Sequence, residues 1–383
     1  MKSLLLPIVV LLIVFSCQKE EEISPNQLQY RKFYEYGAGY DEMFASISHD
    51  HQLIVSFQLD TSTVALWKIS SRGILIWRKR ITYDSWVTLQ SIIISNENHI
   101  FLIGTSNVYS TPPENYFLTR ISSGGDFEWT KEYGGSEMER CGTSIMVSDG
   151  NIIICGLWQE GCGPFASYLV KVNVDGDTIW TRTIPEADYF WTTDVIELKD
   201  GSGFIMLNYG ALSNDGIVRV RKVDQNGLVI WERNLFTSRP EYGYPSLVED
   251  NNGDLLIFST IDNSPKEISL IRTDANAVIR WEKFYSLGPK ATIAEKFIIN
   301  DDGTYTIYGK TWLPEDPSPT RVGFIKIDIN GKEIFRKTFD VDMRPPAVLR
   351  LDNRNTYLFW RRVNFLYMTK IDQNGNPVML DQW

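Results

Sequence analysis

The stretch KVNVDGDTIW, residues 171–180, decides the fold. It reads as the end of one strand, a tight Asp-Gly turn and the start of the next, closed by a large ring. Asp-Gly between β-rich runs is among the strongest short-range hairpin signals. The same pattern returns along the chain: KISSRGILIW at 68–77, RISSGGDFEW at 120–129, KVDQNGLVIW at 222–231, RTDANAVIRW at 272–281 and KIDINGKEIF at 326–335. A truncated copy, KIDQNG, stands at 370–375. The basic anchors at 68, 120, 171, 222, 272, 326 and 370 are spaced by 52, 51, 51, 50, 54 and 44 residues. A fixed period of this size marks a repeat architecture, in which each unit buries its apolar face against its neighbours.

Each unit reads as four strands. In the third, 143–148 alternates and meets the turn Asp149-Gly150-Asn151, then 152–156, 168–173 and 178–183 follow as strands. No window carries a 3.6-residue apolar period, so helices are expected to be scarce. Four-stranded units of 40 to 50 residues predict an all-β chain, a seven-bladed β-propeller of four-stranded antiparallel blades. One ring per repeat, Trp77, Trp129, Trp180, Trp231, Trp281 and Phe335, is expected on the outer strand, wedged between adjacent sheets. Removing such a ring typically costs about 3–5 kcal/mol. The segment YRKFYEY at 30–36 looks like a fourth strand yet precedes the first complete unit, and the last unit ends weakly at Pro377. A proline removes a ladder donor. The N-terminal strand is therefore expected to complete the last blade, which removes open sheet edges.

The units resemble the Trp-docking repeats of quinoprotein-type propellers, and more closely the tandem propeller repeats of Bacteroidetes lipoproteins. The resemblance covers about residues 29–383 and implies a fold, since propellers host unrelated functions. Quinoprotein enzymes carry adjacent cysteines and a calcium-linked cofactor; this chain has no adjacent Cys pair. The reading implies no cofactor.

Upstream, the apolar run 4–15 has the length of a signal-peptide core and is short for a bilayer span. It ends in Val14-Phe15-Ser16-Cys17, which resembles a bacterial lipobox with Phe15 as the one departure. Cys17 is thus the expected lipidation site, and several acyl chains would anchor the protein to a membrane. The cluster Gln18-Lys19-Glu20-Glu21-Glu22 resembles the acidic export signal of Bacteroidetes surface lipoproteins. The expected organisation is a signal peptide at 1–16, a lipidated Cys and acidic tether at 17–28, and the propeller at 29–383. The expected location is the outer membrane, at the cell surface, with the periplasmic face as the alternative.

Charge and composition narrow the function. The chain of 383 residues carries 38 basic and 48 acidic side chains, a net −10; loss of Lys2 with the signal peptide makes it 37 − 48 = −11. That balance argues against a nucleic-acid binder, which needs a basic face. Only three His occur, at 49, 51 and 99, all in turns between first and second strands and expected to be solvated. No nucleophile elbow, zinc-protease motif or phosphate loop is present. The acidic turns lack the full oxygen set of a calcium loop and read as turn chemistry, and no metal site is expected. Cys141 and Cys162 form a possible disulfide, because pairing about Asp149-Gly150 sets residue 141 opposite 158; Cys155 reads as a buried thiol.

Loops entering first strands and leaving second strands share one face of a propeller. Here they carry Tyr40, Glu42, Trp86, Glu139, Arg140, Tyr189, Trp191, Arg239, Tyr242, Tyr244 and Arg344. Aromatic and Arg side chains are enriched at binding hot spots. The expected function is a non-catalytic surface lipoprotein whose propeller binds a protein or a glycan, or serves as a scaffold. The rival is a polysaccharide lyase or hydrolase using channel carboxylates and Tyr, drawing on Glu42, Glu139 and Tyr242. A third reading is a periplasmic outer-membrane assembly scaffold, by analogy with the propeller lipoprotein of the barrel-assembly machinery.

Overall fold

A computed structural model describes residues 31–34, 43–108, 113–186, 190–212, 215–235, 241–261, 266–288, 292–312, 320–339, 347–350, 355–362, 365–378 and 380. They form seven four-stranded antiparallel sheets, and the described residues contain no helix. Blade 1 runs Met43–Ile47, Leu53–Gln58, Thr63–Ile69 and Leu75–Thr82. The first strands of blades 2 to 6 are Val87–Ile94, Met138–Met146, Phe190–Glu197, Glu241–Glu249 and Thr292–Ile299. Blade 7 has only three strands of its own, Ala347–Arg350, Asn355–Arg362 and Phe365–Asp372. Its fourth is Arg31–Tyr34, antiparallel to the third, with Arg31 opposite Met368 and Tyr34 opposite Phe365. The first strands are innermost: those of blades 1 and 2, 2 and 3, 3 and 4, and 4 and 5 touch, and that of blade 7 touches that of blade 1. The ring is thus closed by the N-terminal strand, as the sequence predicts.

Burial follows position in the blade. Second strands such as Leu53–Gln58 are buried at every residue, because neighbouring sheets cover both faces. Such strands read as continuous apolar runs. Outer strands such as Thr178–Pro185 alternate between exposed and half-buried.

The repeat residues meet between blades. Each of the five Trp rings lies over the turn joining third and fourth strands of the next blade; between blades 6 and 7 the ring against Gly375 is instead Phe324 of the third strand, and the expected Phe335 packs edge-on against Phe324 at 5.7 Å. Trp77 sits against Gly125, Trp129 against Gly176, Trp180 against Gly227 and Trp281 against Gly331. At Gly176 the φ of +77° needs a residue without a Cβ, and a Cβ there would stand 2.7 Å from Trp129 Cη2. Blade 5 substitutes Ala277, which holds φ at +57° beside Trp231. The residue two places after the ring completes the contact. Lys131 lies over Trp129 and donates to the Asp175 carbonyl at 2.7 Å and to Asp177; Lys283 lies over Trp281 and donates to the Asn330 carbonyl. The Tyr133 hydroxyl donates to the Gly176 carbonyl at 2.8 Å, and Tyr285 does the same to Gly331 at 2.7 Å.

The basic anchors also find a role. Lys68, Lys171, Arg272 and Lys326 are buried and reach the aspartate in the turn between first and second strands of their own blade: Asp50 at 3.0 Å, Asp149 at 2.7 Å, Asp250 at 2.7 Å and Asp302 at 3.0 Å. A buried cation needs a partner, and the turn supplies it. Arg120 instead pairs with Glu128 and Asp175, and its guanidinium lies 3.0 Å from His99 Nε2. His99 is therefore a partly buried member of an ionic cluster rather than a solvated turn residue; His49 and His51 are exposed.

Candidate functional site

Antiparallel order sends both tight turns of each blade to one end of the ring and the longer connections to the other. At the latter end, near the axis, lies a cavity of about 610 Å³. Its walls come from blades 1 to 4 and include Phe44, Gln90, Arg140, Phe165, Trp191 and Thr193. Three of its lining residues stand at irregularities in the inner strands. The pairing register skips at Gln90 in blade 2, Gly142 in blade 3 and Thr193 in blade 4. A bulge inserts one residue and re-aims side chains out of the alternating pattern. Blade 6 has the same skip at Glu295, whose carboxylate meets Lys310 at 2.7 Å and whose pKa burial pushes up against that pairing.

The walls are fixed from behind. The Thr105 hydroxyl accepts from the Cys141 amide at 3.0 Å, joining blades 2 and 3. Thr193 donates to the Pro245 carbonyl at 2.9 Å, joining blades 4 and 5. Asp194 is half-buried, and desolvation raises its carboxyl although it accepts from Ser246 at 2.6 Å and from the Leu247 amide at 2.9 Å. A buried network backs the wall at Thr192: Asn208 donates to Thr192 and, at 2.7 Å, to Ser167, which donates to Glu186 at 3.0 Å. Glu186 is fully buried and takes Arg219 and Arg221 at once.

Trp191 stands at an aromatic corner. Its ring meets Phe165 of blade 3 edge-on at 6.4 Å and Tyr209 at 5.4 Å between centroids. Arg140 clasps Glu114 through Nε to Oε2 and through Nη2 to Oε1 at 2.9 Å. Bidentate pairs of this kind fix orientation as well as charge.

Of the residues expected on this face, the structure brings Arg140 and Trp191 to the cavity. Trp86 is 52% exposed at the end of the loop before the blade 2 inner strand, its carbonyl accepting from the Val108 amide. Glu139 corrects its expected place: it is 2% exposed, turned against Gly134 and Gly135, with Oε1 accepting from the Gly135 amide at 3.1 Å. Burial pushes its carboxyl up, the Gly135 amide opposes this, and the Glu137 charge adds to it. The backbones of Tyr242 and Tyr244 lie in the blade 5 inner strand, their side chains outside what is described. Cys17, Tyr40, Glu42, Tyr189, Arg239 and Arg344 lie outside the described residues.

The expected Cys141–Cys162 bridge is also corrected, for all three described cysteines are free. The turn places Met146 opposite Ile152, and the skip at Gly142 then sets Cys141 opposite Gly156 rather than residue 158. Cys162 lies beyond Gln159 in the next turn, and three residues of strand already span about 10 Å. That exceeds the separation a disulfide tolerates, about 7 Å between Cα atoms. Cys155 is buried, as expected, and burial drives its thiol well above the usual range.

Sequence reasoning missed Phe44, Gln90, Phe165 and Thr193 as wall residues. The signal lay in second-strand glycines such as Gly104 and Gly156, where a Cβ would strike the Thr88 and Arg140 carbonyls of the neighbouring first strand.

No family model matches the chain, and no curated protein matches its sequence. Solved structures do. The BP39L lectin from Burkholderia pseudomallei is 11% identical, with 90% of this chain and 98% of that one covered at a TM-score of 0.61. A puromycin hydrolase is 11% identical at a TM-score of 0.56, over 91% of this chain and 54% of that one. A PL25 ulvan lyase bound to a GlcA(1-4)Rha3S unit is 11% identical at 0.53, over 89% and 95%. At such identities the similarity establishes a β-propeller, independent of any chemistry.

Proposed function

We propose that this propeller is a glycan-binding module, held at the cell surface by a lipidated N-terminus at Cys17. The cavity carries the reading. Its size falls in the range of small-ligand sites, about 300–1,000 Å³. It combines ring faces at Phe44, Phe165 and Trp191 with the Gln90 amide and several threonine hydroxyls. A sugar offers the matching surfaces, C–H faces for the rings and hydroxyls for the polar groups. The lectin and the ulvan lyase show that this fold accommodates saccharides elsewhere. The lyase or hydrolase rival drew on Glu42, Glu139 and Tyr242; the one described side chain among them, Glu139, is buried against a turn.

A glycan array probed with the full chain is expected to give a saccharide signal that Trp191→Ala removes while circular dichroism shows the β fold retained. An array with no signal, or a signal indifferent to Trp191, refutes the assignment. Palmitate labelling lost in Cys17→Ala, and proteolysis of the protein on intact cells, test the anchor and the location separately.

A further inference from the structure

The described lining of the cavity differs in charge from the chain as a whole. The chain carries ten more acidic than basic side chains, and aspartates occupy its tight turns. Yet the thirteen described residues that line the cavity include no carboxylate. Two of them are ionisable, Arg140 and Cys141, and burial pushes the Cys141 thiol up so that it stays neutral. Among the described residues the lining is therefore formally +1, in a protein of −10.

The acid that balances Arg140 sits behind it. The Glu114 side chain is 5% exposed, against 44% for Arg140. Glu114 is itself pinned, its carbonyl accepting from the Glu139 amide at 2.8 Å and its backbone bridged to Met138. The guanidinium is thus the exposed end of the pair, oriented before any ligand arrives. Glu114 takes the Nε–Nη2 edge; the Nη1–Nη2 edge has the planar geometry that suits carboxylate and sulfate oxygens, and preorganisation lowers the cost of binding them. Thr88, Gln90 and Thr105 add neutral polar groups from blade 2, while Phe165 of blade 3 and Trp191 of blade 4 add the aromatic corner.

We propose that the cavity selects a sugar bearing an oxyanion, a uronate carboxylate or a sulfate ester, with Arg140 reading the anion and the Phe165–Trp191 corner holding the ring. The assignment rests on the glycan-binding reading above and names its ligand class. Glu114 is a positioning residue, acting through Arg140.

Calorimetry with the full chain at pH 7 tests this with three length-matched oligosaccharides: neutral, uronate-containing, and neutral backbone bearing sulfate. At least one acidic set is expected to bind about tenfold or more tighter than the neutral one, and the uronate and sulfate arms show which anion fits. Arg140→Gln is expected to lower acidic affinity about ten- to a hundredfold and to lower neutral affinity far less. Arg140→Lys keeps the charge without the fork and should fall between. Glu114→Gln should weaken acidic binding alone, with the melting temperature measured for every variant. Equal binding of acidic and neutral sugars by the unaltered protein overturns this inference and leaves the glycan reading standing, as does an acidic preference that survives Arg140→Gln. Binding of none of the three refutes the glycan reading itself.

Discussion

Changing Gly176 to Ala tests how the blades are joined. At φ +77° an L residue pays left-handed strain of about 1–2 kcal/mol, partly offset by about 0.4–1 kcal/mol of lost unfolded-state freedom. The new Cβ would also lie 2.7 Å from Trp129 Cη2 and 2.8 Å from Lys131 Cδ. Carbon atoms prefer about 3.5–4.0 Å, so roughly 1 Å of relief is needed. Trp129 has little room to retreat, with Phe101 at 6.3 Å behind it and Lys131 over its face. The turn is tied as well, through the Tyr133 hydroxyl on the Gly176 carbonyl. Overpacking of this kind costs about 1–3 kcal/mol. Gly150 supplies the control, for it has φ +82° and nothing within 4 Å of a Cβ. Urea titrations followed by Trp fluorescence should show Gly150→Ala costing about 1 kcal/mol and Gly176→Ala about 1–3 kcal/mol more. Ala277→Gly, the reverse change in blade 5, should fall between no effect and about 1 kcal/mol of stabilisation. Equal losses for Gly176→Ala and Gly150→Ala would refute the contact between ring and turn.

Three further outcomes follow from the same geometry. Glu139 has its carboxyl raised above 4.5 in the fold, so the folded state holds its proton longer and stability falls as pH rises through that window. Glu139→Gln should therefore raise the melting temperature at pH 7 and lose that advantage below about pH 4.5, as scanning calorimetry across pH would read. Asp302 has the opposite sign: burial opposes ionisation, but the Thr304 and Lys326 bonds prevail and hold the carboxyl at about 2. Its contribution is complete above 3.8 and lost as pH falls towards 2, so the gap in melting temperature between the unaltered protein and Asp302→Asn should close over that interval. Of the three described cysteines, thiol titration of the folded protein should modify Cys162 alone, with Cys141 and Cys155 reacting only in denaturant; a mass two hydrogens short under oxidising conditions would restore the bridge.

The fold was legible because one local requirement recurs. Each tight turn between third and fourth strands asks for a residue tolerant of positive φ, and each joint asks for a ring four residues later, so both left a visible period. The basic anchor was equally visible, but its partner was not. Lys171 pairs with Asp149 and Lys326 with Asp302 across two strands, and nothing local to either residue marks the pairing. The site was less legible still. Arg140 and Trp191 stood out as unusual residue types at strand entrances. Gln90 and Thr193 look like ordinary strand residues, and only the register skips beside them aim them inward. The same skip at Gly142 moved Cys141 along its partner strand and removed the predicted disulfide.

The closing strand also settles how the ring bears a load. Arg31 pairs deeper in blade 7 than Tyr34, which meets Phe365 at the cavity end, so the chain arrives from the end that carries the tight turns. Any pull on the chain upstream of Arg31 then acts away from the cavity and along the strand axis. Its ladder bonds are strained together, in shear, rather than opened one at a time like a zipper. A tether attached there would leave the cavity facing outward and would place its tension on the seam in the direction the seam resists best.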